Sequence, residues 1–263
     1  MIKRLTASNE VEVMKLLKPE ALLNLFILGD IENFGYDNDF IDLWGDFDEN
    51  QQLRACMLRF EHNFLPYAKS SDFDVAAFTK IIQEKEGKNI NISGIPRVVS
   101  QFEQTLPEIK AKKQEAYFCK CTNASMINAN HEVIIRQAKA EDVPAIVTMQ
   151  AEIKEFEERD RNIDLMIEQL NQGSKRIYYT EQNGEIASVA ETSAENSFSA
   201  MITGVATKEN YRNQKFASTI LKRLCCDLLA EGKTPCLFYH NPIAGKMYHK
   251  IGFEDVSDFV LYR

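Results

Sequence analysis

The sequence lacks any apolar run of the roughly 18 residues that a membrane-spanning helix needs. Its opening, MIKRLTASNEVEVMK, has no apolar stretch typical of a signal peptide. Acidic residues outnumber basic ones by 39 to 31, and the net charge of -8 argues against a general nucleic-acid binder. These absences lead us to expect a cytoplasmic protein that acts on neither membranes nor nucleic acids.

The six cysteines form no CxxC pair, and no histidine cluster stands beside them. They therefore lack the spacing of a zinc site, and we expect no bound metal. Cys119 and Cys121 alternate on a predicted strand, while Cys225 and Cys226 are adjacent on a predicted helix. Reduced and mostly buried thiols are the interpretation that we favour.

Proline and glycine are too few and too scattered to form a linker within the 263 residues. The best boundary is the polar stretch CTNASMINANHE, 121–132, which shows no hydrophobic periodicity. It divides the chain near its middle into halves of the size of small domains. We therefore predict two domains, over 1–125 and 131–263.

The second half predicts an alternation of strands and helices. Its predicted strands are EVIIRQA, RIYYTEQ, EIASVAETS, FSAMITGVAT, PCLFYH and FVLYR, and its predicted helices are AEDVPAIVTMQAEI, NIDLMIEQLNQG, 216–231 and NPIAGKMYHKIG. The pair Asn183-Gly184 predicts a hairpin turn. The first half follows a similar order, although its letters do not align with the second, and this predicts a structural repeat.

The segment ENYRNQKFAS, 209–218, joins a predicted strand to a helix predicted to start near Gln214. The first backbone N–H groups of a helix lack partners within it, and the helix dipole adds positive charge there. Arg212 and Lys215 bring cationic side chains, and Ala217 is small enough for a ligand to approach the backbone. Considered alone, the segment is consistent either with an anion site or with a basic, solvated helix start.

Two longer stretches decide between these alternatives. The stretch ITGVATKENYRNQKFASTILKRL, 202–224, resembles the acyl-CoA binding motif of the GNAT superfamily of N-acyltransferases. In that motif a strand ends in Val-x-Thr or Val-x-Val, followed by Arg or Gln, two residues, Gly, one residue, and Gly or Ala. Arg212 and Ala217 match the first and last loop positions, and Lys215 stands where the family usually has glycine. Downstream, LFYHNPIAGKMYHKIGF resembles the second motif: a strand, an Asn, a short helix with a Tyr, then Gly-Phe.

The resemblance implies an α/β fold of the mixed-sheet, α+β kind, used twice as in the tandem relatives of glycine N-acyltransferase. The second half is expected to be intact, and the first half is expected to be degenerate and to bind no coenzyme A (CoA). The resemblance also implies that acetyl-CoA is the acyl donor. The residues that it assigns to donor binding are Val205, Ala206, Thr207, Arg212, Asn213, Gln214, Lys215, Phe216, Ala217, Ser218 and Asn241.

The resemblance further implies a direct attack of a neutral amine on the thioester carbonyl. A backbone N–H near Val205 would stabilise the developing negative charge, and Tyr248 stands at the position of the tyrosine that protonates the departing thiolate. We predict that Ile243, Met247 and Ile251 form the core stripe of the short helix, so that Tyr248 leaves this stripe. Packing alone is the alternative role for Tyr248.

The incoming ammonium must lose a proton, and Glu191 is the best candidate for the base because it lies in an otherwise apolar strand. The alternative is a strand residue that faces solvent. We expect Lys215 to trade close backbone approach for charge, and Asn213 can adopt a left-handed conformation.

The sequence thus predicts an N-acetyltransferase that moves an acetyl group from acetyl-CoA to a primary amine of a small molecule or amino acid. A catalytically silent acyl-CoA-binding module with a regulatory role is the alternative, and a purely structural interaction protein is a third.

Overall fold

The computed structural model describes residues 1–36, 38–87, 90–126, 132–154 and 162–263. The chain divides into two compact units, of which the first contains Met1–Phe118 and Val256–Arg263 and the second contains Cys119–Asp255. Our predicted boundary stretch, 121–132, lies partly outside the described residues. The domain limits 1–125 and 131–263 differ from this division and stay a prediction.

The first unit contains strands that pair in the order β1-β2-β3-β4-β5-β12. All neighbours in this order are antiparallel except β4 and β5, which are parallel. Its core includes the fully buried rings of Phe64, Phe78 and Phe102. The elements are β1 (Ile2–Arg4), α1 (Glu10–Leu17), α2 (Leu25–Phe34), β2 (Ile41–Phe47), β3 (Leu53–Phe60), β4 (Asn63–Ala68), α3 (Val75–Glu86), β5 (Asn91–Gly94), α4 (Pro96–Val99), β6 (Lys113–Cys121) and β12 (Phe253–Tyr262).

The second unit contains strands in the order β11-β10-β9-β8-β7. Its strands are antiparallel except for β10 and β11, which are parallel and joined through a helix. The elements are β7 (Arg136–Gln137), α5 (Val143–Ala151), α6 (Ile163–Gln172), β8 (Ile177–Gln182), β9 (Glu185–Ser193), β10 (Ser199–Thr207), α7 (Phe216–Ala230), β11 (Thr234–Tyr239) and α8 (Pro242–Ile251).

Local sequence signals explain where these elements begin and end. Asn183 and Gly184 both have positive φ, 53° and 81°, and form the predicted hairpin turn between β8 and β9. Asn162 caps α6 by accepting a hydrogen bond from the Leu165 N–H. The predicted strand at 132–138 is shorter in the structure, where only Arg136–Gln137 pairs with β8.

The second unit contains two large apolar clusters, one for each set of helices, and a small third cluster of Val133, Ala187 and Phe216. The α7 core joins α7 and α8 to the strands and includes Ile202, Leu221, Leu224, Leu237, Tyr248 and Phe253. The α5 core joins α5 and α6 to the strands and includes Ile146, Met149, Met166, Val189 and Ala206. Among the described residues, no helix has the length and apolar character that a bilayer span requires.

Two strands contribute residues to both units. Cys119–Cys121 of β6 belong to the second unit, and Val256–Tyr262 of β12 belong to the first. In the first unit, Val260 pairs with Gly94 and Tyr262 pairs with Ile92. The Tyr262 hydroxyl also donates to the Glu103 carboxylate over 2.6 Å.

We predict that deleting residues 256–263 destabilises the first unit. The deletion removes the buried side chains of Phe259, Val260 and Tyr262, a loss on the order of 5 kcal/mol. Hydrogen exchange of the backbone amides in β5 should accelerate strongly relative to the full chain. As a matched control, Tyr262→Phe removes only the hydroxyl contact and should cost about 1 kcal/mol. Faster exchange confined to 119–255 would contradict the assignment of this strand.

Candidate functional site

The strands β10 and β11 stop pairing partway along their length. Their register runs from Ser199 opposite Thr234 to Ile202 opposite Leu237 and goes no further, although β10 continues to Thr207. The edge of β10 beyond Ile202 is therefore not paired with β11. This is where an extended ligand can pair with the backbone of β10, as a missing strand would.

A bulge in β10 begins at the same point. Thr203 lies opposite Glu191 and Ala206 lies opposite Val189, so three steps along β10 match two along β9. The additional residue reverses the alternation of side chains, because Ile202 belongs to the α7 core and Ala206 belongs to the α5 core. Gly204 has φ +59° within this bulge, a conformation that favours glycine.

The loop that follows β10 is held in place at both ends. The Lys208 ammonium pairs with Glu185 at 2.7 Å and with Glu152 at 2.9 Å, and the Tyr211 hydroxyl donates to Glu185 over 2.8 Å. At the far end, the buried Phe216 ring packs edge-on against the Tyr211 ring. These contacts fix the direction in which the chain enters α7.

Two residues of this loop have left-handed backbones. Asn213 has φ 65° and Lys215 has φ 64°. Asn213 therefore adopts the conformation that we predicted for it, and Lys215 adopts a conformation that favours glycine while keeping its side chain. α7 consequently begins at Phe216 instead of near Gln214, with Lys215 as the residue before its first turn.

The backbone N–H groups from Asn213 to Ser218 make no hydrogen bond to any residue that the structure describes. Arg212 and Thr219, on either side, donate to carbonyl groups of Glu209 and Lys215. Alternating left- and right-handed residues point successive N–H groups into one concave surface that binds anions. The partial positive charge at the start of α7 lies in the same place.

The side chains of this loop mostly contact its own backbone. The Arg212 Nε donates to the Thr207 carbonyl over 3.3 Å, and the Gln214 amide donates to the Asn210 carbonyl over 3.2 Å. The Ser218 hydroxyl donates to the Lys215 carbonyl over 2.9 Å. Arg212, Asn213, Gln214 and Lys215 are exposed to solvent, so their polar ends can reach a ligand.

The helix α8 brings Tyr248 to the α7 core. Asn241 caps this helix by accepting from the Ile243 N–H, so its side-chain oxygen is already used there. The predicted core stripe is wrong at Ile243, which is 78% exposed in the first turn of α8. Gly245 and Tyr248 are buried together with Ile251, so the prediction that Tyr248 leaves the buried face of the helix is also wrong. Gly245 allows this packing, since a Cβ there would lie 2.4 Å from the Tyr239 ring.

Tyr248 is 8% exposed and lies between the rings of Tyr239 and Phe253, at centroid distances of 5.8 and 5.9 Å. Burial, with a smaller contribution from the Cys119 thiol, raises the pKa of Tyr248 to about 12. Its hydroxyl makes no hydrogen bond to any described residue. It is therefore a protonated donor without a partner in this part of the protein, and the partly buried Val205 packs against the same core.

Glu191 lies outside the α7 core that contains Tyr248. It is 2% exposed, and its carboxylate accepts from the Lys175 ammonium at 3.2 Å and from the Gln150 amide at 3.4 Å. Gln150 is on α5, and Val189, two residues from Glu191 on β9, belongs to the α5 core. The predicted alternative of a solvent-facing residue is wrong, and Glu191 does not share the α7 core with Tyr248.

The structure thus brings together most of the predicted donor-binding residues. The backbone from Val205 to Thr207 lies just beyond the last residue of β10 that pairs with β11. Residues 212–218 follow it along the chain after a turn of four residues. Sequence reasoning missed Gly204, Gln150 and Lys175. An isolated glycine in a strand pattern indicates a bulge, so the pattern ITGVAT could have predicted the bulge at Gly204. The described residues hold no group of three or more His, Cys, Asp or Glu side chains arranged to bind a metal ion.

Comparison with known proteins finds one family model that part of the chain matches. Residues 176–262 match the family model described as GNAT acetyltransferase. No curated protein matches the sequence significantly. The matched residues include β10, the loop, α7 and α8, which carry the geometry described above.

Solved structures resemble the chain over its whole length. An acetyltransferase of the GNAT family from Colwellia psychrerythraea is 15% identical, with a TM-score of 0.58 and coverage of 100% of this chain and 98% of that chain. A GCN5-related N-acetyltransferase from Sphaerobacter thermophilus is 12% identical, with a TM-score of 0.67 and coverage of 99% and 94%. A Drosophila protein is 9% identical, with a TM-score of 0.71 and coverage of 100% and 98%. The mixed α+β fold and the resemblance to the GNAT superfamily are confirmed.

We predict that the left-handed backbone at residue 215 can be measured by comparing Lys215→Ala with Lys215→Gly. Both variants lose the ammonium, but only glycine is free of the Cβ clash at φ 64°. The free energy of unfolding of Lys215→Gly should therefore exceed that of Lys215→Ala by about 1 kcal/mol. Chemical denaturation of the two variants gives this difference. An alanine variant of equal or greater stability would show that residue 215 does not hold this conformation in solution.

Proposed function

We propose that this chain, whose residues 176–262 match the GNAT acetyltransferase family model, is an N-acetyltransferase. It transfers an acetyl group from acetyl-CoA to a primary amine of a small molecule or amino acid. The observation that carries the proposal is the run of N–H groups from Asn213 to Ser218, at the start of α7, that have no partner among the residues described by the structure. A diphosphate matches this surface because it offers several anionic oxygens to converging donors.

In this proposal the loop and β10 bind the donor. The N–H groups of 213–218 donate hydrogen bonds to the diphosphate, and Arg212 and Lys215 add cationic charge. The unpaired edge of β10 around Val205 and Thr207 pairs with the amide groups of the pantetheine arm. A backbone N–H near Val205 donates to the carbonyl oxygen as it gains negative charge.

Tyr248 supplies the proton for the leaving group. As the amine nitrogen forms its bond to the carbonyl carbon, the carbon–sulfur bond breaks and the sulfur leaves as a thiolate. The Tyr248 hydroxyl, kept protonated by its raised pKa of about 12, donates to that sulfur. The nitrogen gives up its proton to a base, for which the sequence named Glu191.

A catalytically silent acyl-CoA-binding module is the second candidate. Two observations favour it: Lys215 replaces the glycine of the loop at a left-handed position, and the Glu191 carboxylate is held by Lys175. The two candidates differ in turnover, because a silent module binds CoA but releases no thiol from acetyl-CoA with any amine. A structural interaction protein binds no CoA and gains no stability from it, whereas ligand at about 100 times its Kd stabilises a binding protein by about 2.7 kcal/mol.

We predict that Tyr248→Phe lowers kcat for thiol release from acetyl-CoA by about 100-fold. The Kd of CoA should stay within about twofold of the wild-type value, since the ring and its packing remain. Tyr239→Phe is a matched control, because the Tyr239 hydroxyl in the same core already donates to Asp255 over 2.9 Å. Turnover of Tyr248→Phe equal to that of the control would remove Tyr248 from the mechanism.

We further predict that Ser218→Asp weakens CoA binding while it stabilises the fold. Residue 218 is in the first turn of α7, where a carboxylate stabilises a helix by about 0.3–1 kcal/mol. The same carboxylate repels a diphosphate, so the Kd of CoA should rise by at least about tenfold. Titration calorimetry and thermal denaturation measure the two effects. The control is Ser218→Asn, which has the same shape without the charge, and equal Kd values for Asp and Asn would place the diphosphate elsewhere.

A further inference from the structure

A chain of buried polar side chains lies against the bulge of β10. The Gln150 amide nitrogen, from α5, donates to the Gly204 carbonyl over 3.3 Å and to the Glu191 carboxylate over 3.4 Å. The Lys175 ammonium, just before β8, donates to the other Glu191 oxygen over 3.2 Å and to the Thr192 carbonyl over 2.9 Å. Gln150 therefore links the Glu191 carboxylate to a peptide carbonyl of the bulge, and Lys175 holds that carboxylate from its other oxygen.

The Glu191 carboxylate also fills the space beside Gly204. A Cβ placed on Gly204 would lie 2.0 Å from Oε1 of Glu191 and 2.6 Å from its carboxyl carbon. The backbone of Gly204, at φ +59°, is thus in direct contact with the acid. Any movement of this carboxylate changes the packing and the hydrogen bonding of the bulge together.

This arrangement has features that stability alone does not explain. Lys175, Glu191 and Gln150 are 8%, 2% and 0% exposed, and burial of charged and amide groups is unfavourable unless their partners compensate. The oxygen of the Gln150 amide has no hydrogen-bond partner in the described part of the chain. Groups kept under such conditions cluster at functional sites, where they hold a required geometry.

We infer that Lys175, Glu191 and Gln150 are positioning residues that hold the backbone of the bulge at Gly204 and Val205 in the conformation that receives the thioester. The inference rests on the proposed function, because the bulge borders the unpaired edge of β10 where the donor is proposed to lie. It gives Glu191 a role different from that of the base that the sequence named. A carboxylate that already accepts from an ammonium and an amide, on the side of α5, stabilises a structure without exchanging protons with the substrate.

The experiment compares Glu191→Gln, Lys175→Met and the double variant Lys175→Met/Glu191→Gln. Each single variant leaves one buried charge without its partner, and the double variant leaves none while it keeps an amide beside Gly204. We expect each single variant to lose at least about tenfold in kcat/KM for acetyl-CoA, and the double variant to recover most of that loss. The pH profile of the double variant should keep the shape of the wild-type profile.

If Glu191 acts as the base, the double variant should not recover kcat/KM. The double variant would then be as slow as Glu191→Gln, and both would lose the acidic limb of the profile of kcat/KM against pH. That result would overturn the positioning role and restore the role named from the sequence. Gln150→Leu provides a further discriminating variant, since it removes the donor to the Gly204 carbonyl and leaves the Lys175–Glu191 pair intact. It should slow the reaction under the positioning role and leave it unchanged otherwise.

A readout that needs no turnover separates this inference from the proposed function. Hydrogen exchange of the amides at 204–206 should accelerate in both single variants and in Gln150→Leu, and should return towards the wild-type rate in the double variant. If the wild-type protein releases no thiol with any amine, the proposed function fails while this exchange pattern still decides the role of the network. Unchanged exchange in all variants would overturn the inference, whatever their activity.

Discussion

The end of pairing between β10 and β11 is the constraint on which the rest of the site depends. Beyond Ile202 and Leu237 the two strands no longer share hydrogen bonds, so β10 has an edge that can bind an extended ligand. The bulge at Gly204 begins at the same place and assigns Ile202 and Ala206 to different cores. Because β10 leads directly into the loop and α7, the unpaired edge and the free N–H groups follow one another along the chain. One local change in strand pairing thus produces both parts of the site that is proposed to bind the acyl donor.

The α7 core and the α5 core of the second unit have different roles in the proposed mechanism. The α7 core surrounds Tyr248 with aromatic rings, and its low polarity keeps the hydroxyl protonated. The α5 core lies beside a polar network that holds the backbone of β10 through Gly204. In the proposed mechanism the proton donor is on α8, whereas the groups that hold the backbone of β10 come from α5, from β9 and from the residue Lys175 before β8. Apolar packing keeps the Tyr248 hydroxyl protonated, and ion pairing supports the residues that hold the backbone of β10.

The sequence predicted much of this fold because its signals are local. The pattern EIASVAETS corresponds to β9 at Glu185–Ser193, and Asn183-Gly184 forms the expected turn. α7 begins at Phe216, as in the helix predicted over 216–231, and two residues after the start predicted near Gln214, since Lys215 takes a left-handed conformation that its side chain normally disfavours. The stripe on α8 was wrong at Ile243, because the close approach of Gly245 to Tyr239 decides which face is buried.

The polar network was beyond prediction for a different reason. Lys175 and Gln150 meet Glu191 across 16 and 41 positions of sequence, and no periodicity links them. A lone acid in an apolar strand pointed to Glu191 but not to what surrounds it. The sequence could name the residue, whereas only the contacts of its carboxylate indicate its role.

The assignment of C-terminal residues to the first unit affects how the protein folds during its synthesis. Val256–Arg263 belong to the first unit, whose other residues are Met1–Phe118. During synthesis, the N-terminal residues leave the ribosome long before the strand that pairs with β5 exists. Domains usually fold in the order in which they are translated, but here β5 waits with an open edge until residues 260–262 emerge. The first unit is therefore completed only after residues 119–255 of the second unit have been synthesised.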